Sequence, residues 1–132
     1  WELMEDGLDA ALLAVGSMVE SALEMRELLA KHHLHVAVVN CSTVKPMDED
    51  MLRRMNDRPI ITLEEHVLTG GFGAAVCAWC VGEELRPPVL SLGVADTFVQ
   101  HGDREQLLKY LGLQPKQMAQ RVRAVLEAEK NG

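Results

Sequence analysis

The sequence predicts an α/β fold in which a mostly parallel sheet lies between two layers of helices. Three observations predict it. Short apolar runs alternate along the chain with stretches whose apolar residues recur at helical spacing. The connections between them are short and carry Gly, Pro, Ser or Asp, residues that stop or cap regular elements. The apolar runs are nearly continuous, as in strands covered on both faces, and strands alternating with helices are joined by right-handed crossovers into a parallel sheet.

Each element has its own local reason. Glu2 to Met4 can form a short edge strand, joined by a turn at Glu5-Asp6-Gly7 to the first buried strand, Ala10 to Val15. Gly16-Ser17 breaks that strand, and Ser17 is a natural N-cap for a helix with Met18, Ala22, Met25 and Leu29 on one face, running to about His33. His35 to Asn40 supplies a second buried strand through Val36, Val38 and Val39. Lys45-Pro46 marks a turn, and Asp48 caps a short helix carrying Met51, Leu52 and Met55 that ends near Asn56. Pro59 opens the strand Ile60 to Leu63, where a missing N–H is tolerable. After the glycine-rich turn Gly70-Gly71-Phe72-Gly73 comes a helix from Ala74 to Glu84, weakened at its end by Gly82 and barred from continuing by Pro87-Pro88. Val89 to Leu92 is the next parallel strand, followed by a long connection, a helix over Glu105 to Leu111 capped by Asp103 and stopped by Gly112, and a last helix opened by Pro115. Met118, Val122, Val125 and Leu126 give that helix its apolar stripe.

Composition bounds the function. A chain of 132 residues is long enough to fold as one domain without staples. Its hydrophobic share is 48%, yet no apolar run approaches the ~20 residues of a membrane span. The opening Trp1-Glu2-Leu3-Met4-Glu5-Asp6-Gly7 does not read as a secretory signal, so a cytoplasmic location with no membrane partner is expected. With 20 acidic residues against 13 basic, the chain repels phosphate backbones at long range, and nucleic acid is not an expected partner. The three cysteines make no disulfide framework. Cys77-Ala78-Trp79-Cys80 has CxxC spacing, but Cys77 falls about a turn after the helix start, where the dipole no longer lowers a thiol pKa, and no second close pair completes a zinc site. Buried structural thiols are expected.

Three constellations carry candidate chemistry. Glu64, Glu65 and His66 combine two carboxylates with an imidazole, the groups of general acid–base catalysis. Consecutive residues of an extended strand point to alternate sides, however, so the trio is expected to order loops or an interface. Gly70, Gly71, Phe72 and Gly73 at a helix start can offer backbone N–H groups to an anion, but the turn lacks the Lys-Ser/Thr of a phosphate loop, and tight backbone packing is the plainer role. Asp96, Phe98 and His101 lie on a connection longer than packing requires, where function concentrates. His32, His33 and His35 stand at a helix end and are read as complements to its dipole.

Taken in order, the strand Ala10 to Ser17, the turn Val44 to Asp48, Glu64-Glu65-His66 with Gly70-Gly71-Phe72-Gly73, and Asp96-Thr97-Phe98-Val99-Gln100-His101-Gly102 with Leu111-Gly112-Leu113 resemble the C-terminal domain of transketolase-type thiamin diphosphate enzymes. The strand and the Glu-Glu-plus-glycine segments are shared with transketolases and with β subunits of 2-oxo acid dehydrogenases. The D-x-F-x-x-H-G segment followed by Gly-Leu resembles the 1-deoxy-D-xylulose-5-phosphate synthases most.

The resemblance implies a three-layer αβα sandwich around a five-stranded sheet with one antiparallel edge strand. It also implies a longer parent enzyme that uses thiamin diphosphate and magnesium to join a two-carbon unit from pyruvate to glyceraldehyde 3-phosphate, for isoprenoid precursor synthesis. The cofactor motifs belong to two preceding domains, so neither catalytic, cofactor nor metal residues are expected in this chain. Its partners would be those two domains and a second subunit of a homodimer. Two other classes of function stay open on the residues alone: a free-standing anion- or nucleotide-binding module using the helix starts at Ser17 and Gly71, and a redox or metal protein built on Cys77 and Cys80.

Overall fold

A computed structural model describes residues 1–65, 71–85, 87–93 and 112–131, with the side chains of 130 and 131 left aside. Among the described residues the elements run β1 (Glu2–Leu8), β2 (Ala10–Ala14), α1 (Met18–Ala30), β3 (Val36–Asn40), α2 (Glu49–Met55), β4 (Ile60–Leu63), α3 (Phe72–Gly82), β5 (Val89–Leu92) and α4 (Pro115–Asn131). The helix expected over Glu105 to Leu111 and the Asp96 to Gly102 connection lie outside the described residues.

The strands form one sheet in the order β1-β3-β2-β4-β5, with β2, β3, β4 and β5 mutually parallel and β1 antiparallel on β3. Period-two alternation divides the sheet between two cores. Ala10, Leu12, Ala14, Val36, Val38, Ile61 and Leu63 face one core, closed by Met18, Ala22, Met25 and Leu29 of α1 and Met118, Val122 and Leu126 of α4. Ala11, Leu13, Ala37, Val39 and Ile60 face the other, closed by Leu52 and Met55 of α2 and Phe72, Val76 and Cys80 of α3. The expected αβα sandwich is therefore observed.

The edge strand departs from the expectation. Glu5-Asp6-Gly7 is not a hairpin turn onto β2. Those residues stay inside β1, which runs on to Leu8 and pairs with β3, Glu2 opposite Asn40 and Leu8 opposite Val36. The register shifts between Leu3 and Glu5 and again between Glu5 and Leu8, so the residues that looked like a turn are absorbed as irregularities of an edge strand. Gly7 is essential to this, because a Cβ there would lie 2.5 Å from His35 O and Val36 C, backbone atoms that cannot yield. Arg58, only 8% exposed, ties the segment down by donating to Gly7 O at 2.6 Å and pairing with Asp6 at 3.4 Å. Asp9 then carries the chain over the start of β3. Its N–H donates to His35 O at 3.0 Å, and its Oδ2 accepts from His35 N at 2.7 Å.

Two helix termini also differ. Ser17 makes no side-chain cap; Gly16, at φ +59°, bends the chain so that Val15 O and Gly16 O accept the N–H groups of Met18 and Val19 at 3.2 Å each. α1 stops at Ala30, short of His33, because His33 adopts φ 60° and lets Leu34 N donate to Leu29 O at 3.1 Å and His33 N to Ala30 O at 3.0 Å. This is a Schellman closure with a histidine where glycine is usual. α3 ends in the same way, with Glu84 at φ 59° and Leu85 N donating to Cys80 O at 2.9 Å. Gly82, expected to weaken that end, stays in the helix as its last residue.

Asp48 caps α2 as expected, its Oδ1 accepting from Met51 N at 3.0 Å. That bond is the leading cause holding its carboxyl below the usual aspartate range. Because the pKa is depressed in the folded state, the stabilisation is complete above the ordinary carboxylate pKa near ~4 and is lost as pH falls through the depressed value. Asp48→Ala is expected to lower unfolding stability by about 1 kcal/mol at neutral pH, with the gap from the parent chain closing on acidification, as read from urea midpoints across pH. A gap that did not change with pH would place the effect elsewhere.

Candidate functional site

β4 lies on the opposite side of β2 from β3, so the chain reverses its direction across the sheet at β2. In open α/β sheets the connections that leave the two strands at such a reversal run to opposite faces, and a crevice where ligands bind lies outside the carboxyl ends. Among the described residues this end of the sheet carries Val15-Gly16-Ser17 after β2 and Glu64-Glu65 after β4, and Val15 N donates to Leu63 O at 3.0 Å between them. Glu64 is thereby brought to Phe72 and Gly73, eight and nine positions further along the chain.

Glu64 is 3% exposed and its carboxylate grips the start of α3. Oε1 accepts from Phe72 N at 3.1 Å and Oε2 from Gly73 N at 2.6 Å. A helix N-terminus presents unpaired N–H groups and the positive end of the dipole, and a carboxylate satisfies both. The helix start is thus occupied by an anion that belongs to the chain itself. Gly71, the residue before the helix, has φ −90° and ψ −164°, an extended conformation open to any residue. Gly73 is different. A Cβ there would clash with the Ser91 side chain and lie 2.9 Å from Thr62 Oγ1, so the helix backbone rests directly on β4 and β5. Beneath it Thr62 Oγ1 donates to Ser91 Oγ at 3.0 Å. Phe72 is buried and meets the Trp1 ring edge-on, with centroids 5.6 Å apart. Glu65, on the bend after Glu64, is half-buried.

His66, Gly70, Asp96, Phe98 and His101 lie outside the described residues. Of the sequence candidates, the structure joins Glu64, Phe72 and Gly73 in one cap and makes Phe72 a core anchor. Thr62 and Ser91 were missed: both sit in apolar strands, and only their register opposite each other, beneath Gly73 of α3, gives them a role. Among the described residues no three His, Cys, Asp or Glu converge as a metal site. The cysteines are free thiols. Cys41 and Cys80 are buried, and burial pushes both thiols up, with neighbouring Cys77 adding to the rise at Cys80. Cys77 departs from the expected burial: it is half-exposed, because its position on α3 turns it partly away from the sheet.

Glu64→Ala is expected to lower unfolding stability by about 3 kcal/mol, since two buried N–H groups lose a charged acceptor, with Glu64→Gln losing less; chemical denaturation of both variants checks this. A Glu64→Ala effect within experimental error would show that the cap is dispensable. Gly73→Ala should cost about 1–3 kcal/mol through overpacking. Adding Ser91→Gly to that variant should return part of the loss, whereas strictly additive effects in the double-mutant cycle would refute the contact.

Comparison with known proteins agrees with this geometry. The family described as "Transketolase, C-terminal domain" matches residues 1–118. Among curated relatives, the chain is 39% identical over 132 residues to 1-deoxy-D-xylulose-5-phosphate synthase of Exiguobacterium sibiricum, covering 98% of this chain and 21% of that protein. It is 44% identical over 131 residues to the synthase of Pelotomaculum thermopropionicum, covering 96% and 20%. The chain therefore spans about a fifth of the length of these relatives. Among solved structures, a split-gene transketolase, an inactive β4 tetramer, superposes with a TM-score of 0.86 at 30% identity over 96% of this chain and 42% of its own. A transketolase mutant from Pichia stipitis shares the fold, with a TM-score of 0.69 at 18% identity over 95% of this chain and 17% of its own. The chain belongs to the transketolase C-terminal domain family.

Proposed function

We propose that the chain is the C-terminal structural and assembly domain of a 1-deoxy-D-xylulose-5-phosphate synthase, part of a longer cytoplasmic polypeptide, with no catalytic residue of its own. The observation that carries this reading is the outward face of α3. From Phe72 to Gly82 the helix has no charged side chain, and it turns Ala74, Ala78 and Val81 to the outside, Val81 at 66% exposure. A helix apolar on all sides belongs inside a larger body of protein, so this face is fitted to be covered by the rest of the enzyme or by its second subunit. The match of this chain to only about a fifth of each relative's length, and the 39% and 44% identities to synthases, support the same reading.

The parent enzyme would bind thiamin diphosphate and magnesium and act as a homodimer on pyruvate and glyceraldehyde 3-phosphate. The described residues of this chain do not fit that cofactor. The N–H groups of Phe72 and Gly73, which would meet a diphosphate, are held by Glu64, and no donor cluster among the described residues suits the metal. The split-gene transketolase that contains this fold in 42% of its chain is an inactive β4 tetramer, which is consistent with chemistry that needs further protein.

Calorimetry of this chain with thiamin diphosphate and magnesium is expected to show no saturable binding, and micromolar affinity would overturn the assignment. In the intact enzyme, Ala78→Asp combined with Val81→Asp is expected to weaken association by about tenfold or more in sedimentation, because the charges would enter an apolar contact. Unchanged association would remove α3 as the docking face.

A further inference from the structure

On the opposite side of the sheet from α3, the C-terminal turn of α1 and the first half of α4 enclose a cleft of about 150 Å³ lined by Leu28, Leu29, Lys31, His32, Lys116, Ala119, Gln120 and Arg123. Leu28, Leu29 and Ala119 make an apolar floor, and the cationic groups stand at the rim. We propose that this cleft binds a small multivalent oxyanion of the phosphate or diphosphate type. Its volume equals that of roughly five waters at about 30 Å³ each, enough for such a group.

The charges converge where folding alone gives them little reason to. Lys31, Lys116 and Arg123 come from helices far apart in sequence, in a chain whose formal charge is −7. Arg123 Nε pairs with Glu127 at 2.9 Å, and its guanidinium donates toward His32 Nε2 at 3.4 Å, which fixes the fork at the mouth of the cleft. A dipole complement accounts for Lys31 and His32 at the C-terminal end of α1, but not for the cations of α4. The last carbonyls of α1 already accept His32 N, His33 N and Leu34 N. Lys116 stands in the first turn of α4, the end where acidic residues are favoured and where α4 has none. Glu127 partly balances Arg123, while Lys31 and Lys116 have no ion-pair partner among the described residues, so an anion in the cleft adds a counter-charge for the two lysines, and the apolar floor strengthens the attraction by excluding water. This inference is independent of the assembly reading.

The test is a titration of the isotopically labelled chain with sodium pyrophosphate, and separately with sodium phosphate, at constant ionic strength, followed by amide NMR shifts. The expected result is saturable movement at Lys31, His32, Lys116, Gln120 and Arg123, tighter for pyrophosphate. Lys31→Gln combined with Lys116→Gln should weaken pyrophosphate by about tenfold or more, since charge-assisted contacts are removed. Arg121→Gln, which removes a charge from an exposed position outside the cleft, should leave the affinity unchanged. Shifts that do not saturate, shifts spread over the surface, or an equal loss with Arg121→Gln would each overturn the proposal.

Discussion

The central strand β2 is sealed from solvent along its whole length, and that burial governs the rest of the fold. Ala10, Leu12 and Ala14 enter one core while Ala11 and Leu13 enter the other, so helices must cover both faces of the sheet. β3 and β4 flank β2, and the chain has to pass from one to the other around it. The strand reversal follows from that passage, and with it the crevice at the carboxyl ends of β2 and β4. Edge positions then go to β1 and β5, and the irregular pairing of β1, held by Arg58, is tolerable because it lies at an edge.

A crevice of this kind, opening onto a glycine-rich helix start, has the makings of an anion site. In this chain the anion is Glu64. Its carboxylate takes the N–H groups that a phosphate would have used, and Gly73 lets α3 settle onto Thr62 and Ser91 close enough for that bond. The same device that closes the crevice therefore holds α3 in place. Once held, α3 points Phe72, Val76 and Cys80 inward and leaves Ala74, Ala78 and Val81 outside, so its buried and exposed apolar faces arise from one geometry.

The two sides of the sheet differ in character. The α2 and α3 layer carries the uncharged outer face of α3, suited to contact with more protein. The α1 and α4 layer carries the cationic cleft, whose Lys31, Lys116 and Arg123 stand out against the net negative charge of the molecule. The sheet separates the two surfaces, so substitutions on one leave the residues of the other in place.

Local sequence determined the elements of this protein. Hydrophobic period placed β2, β3, β4, β5 and α4 within a residue or two, and Asp48 named its own helix start, because periodicity and capping act over a few neighbouring residues. The tertiary structure alone decided the rest. Glu64-Glu65-His66 reads in sequence as a set of side chains, and the glycine-rich turn as a helix start with free backbone N–H groups, but that Glu64 is the anion those groups at Phe72 and Gly73 hold is set only by the fold. Ser17 looked like a cap but was displaced by the carbonyls that Gly16 turns toward the helix. Likewise β1 prefers β3 to β2, since strand pairing is settled by which edge is open once the buried strands have taken their places. The convergence of Lys31 with Lys116 and Arg123 has the same origin: two helices distant in the chain meet only because both must cover one face of the same sheet.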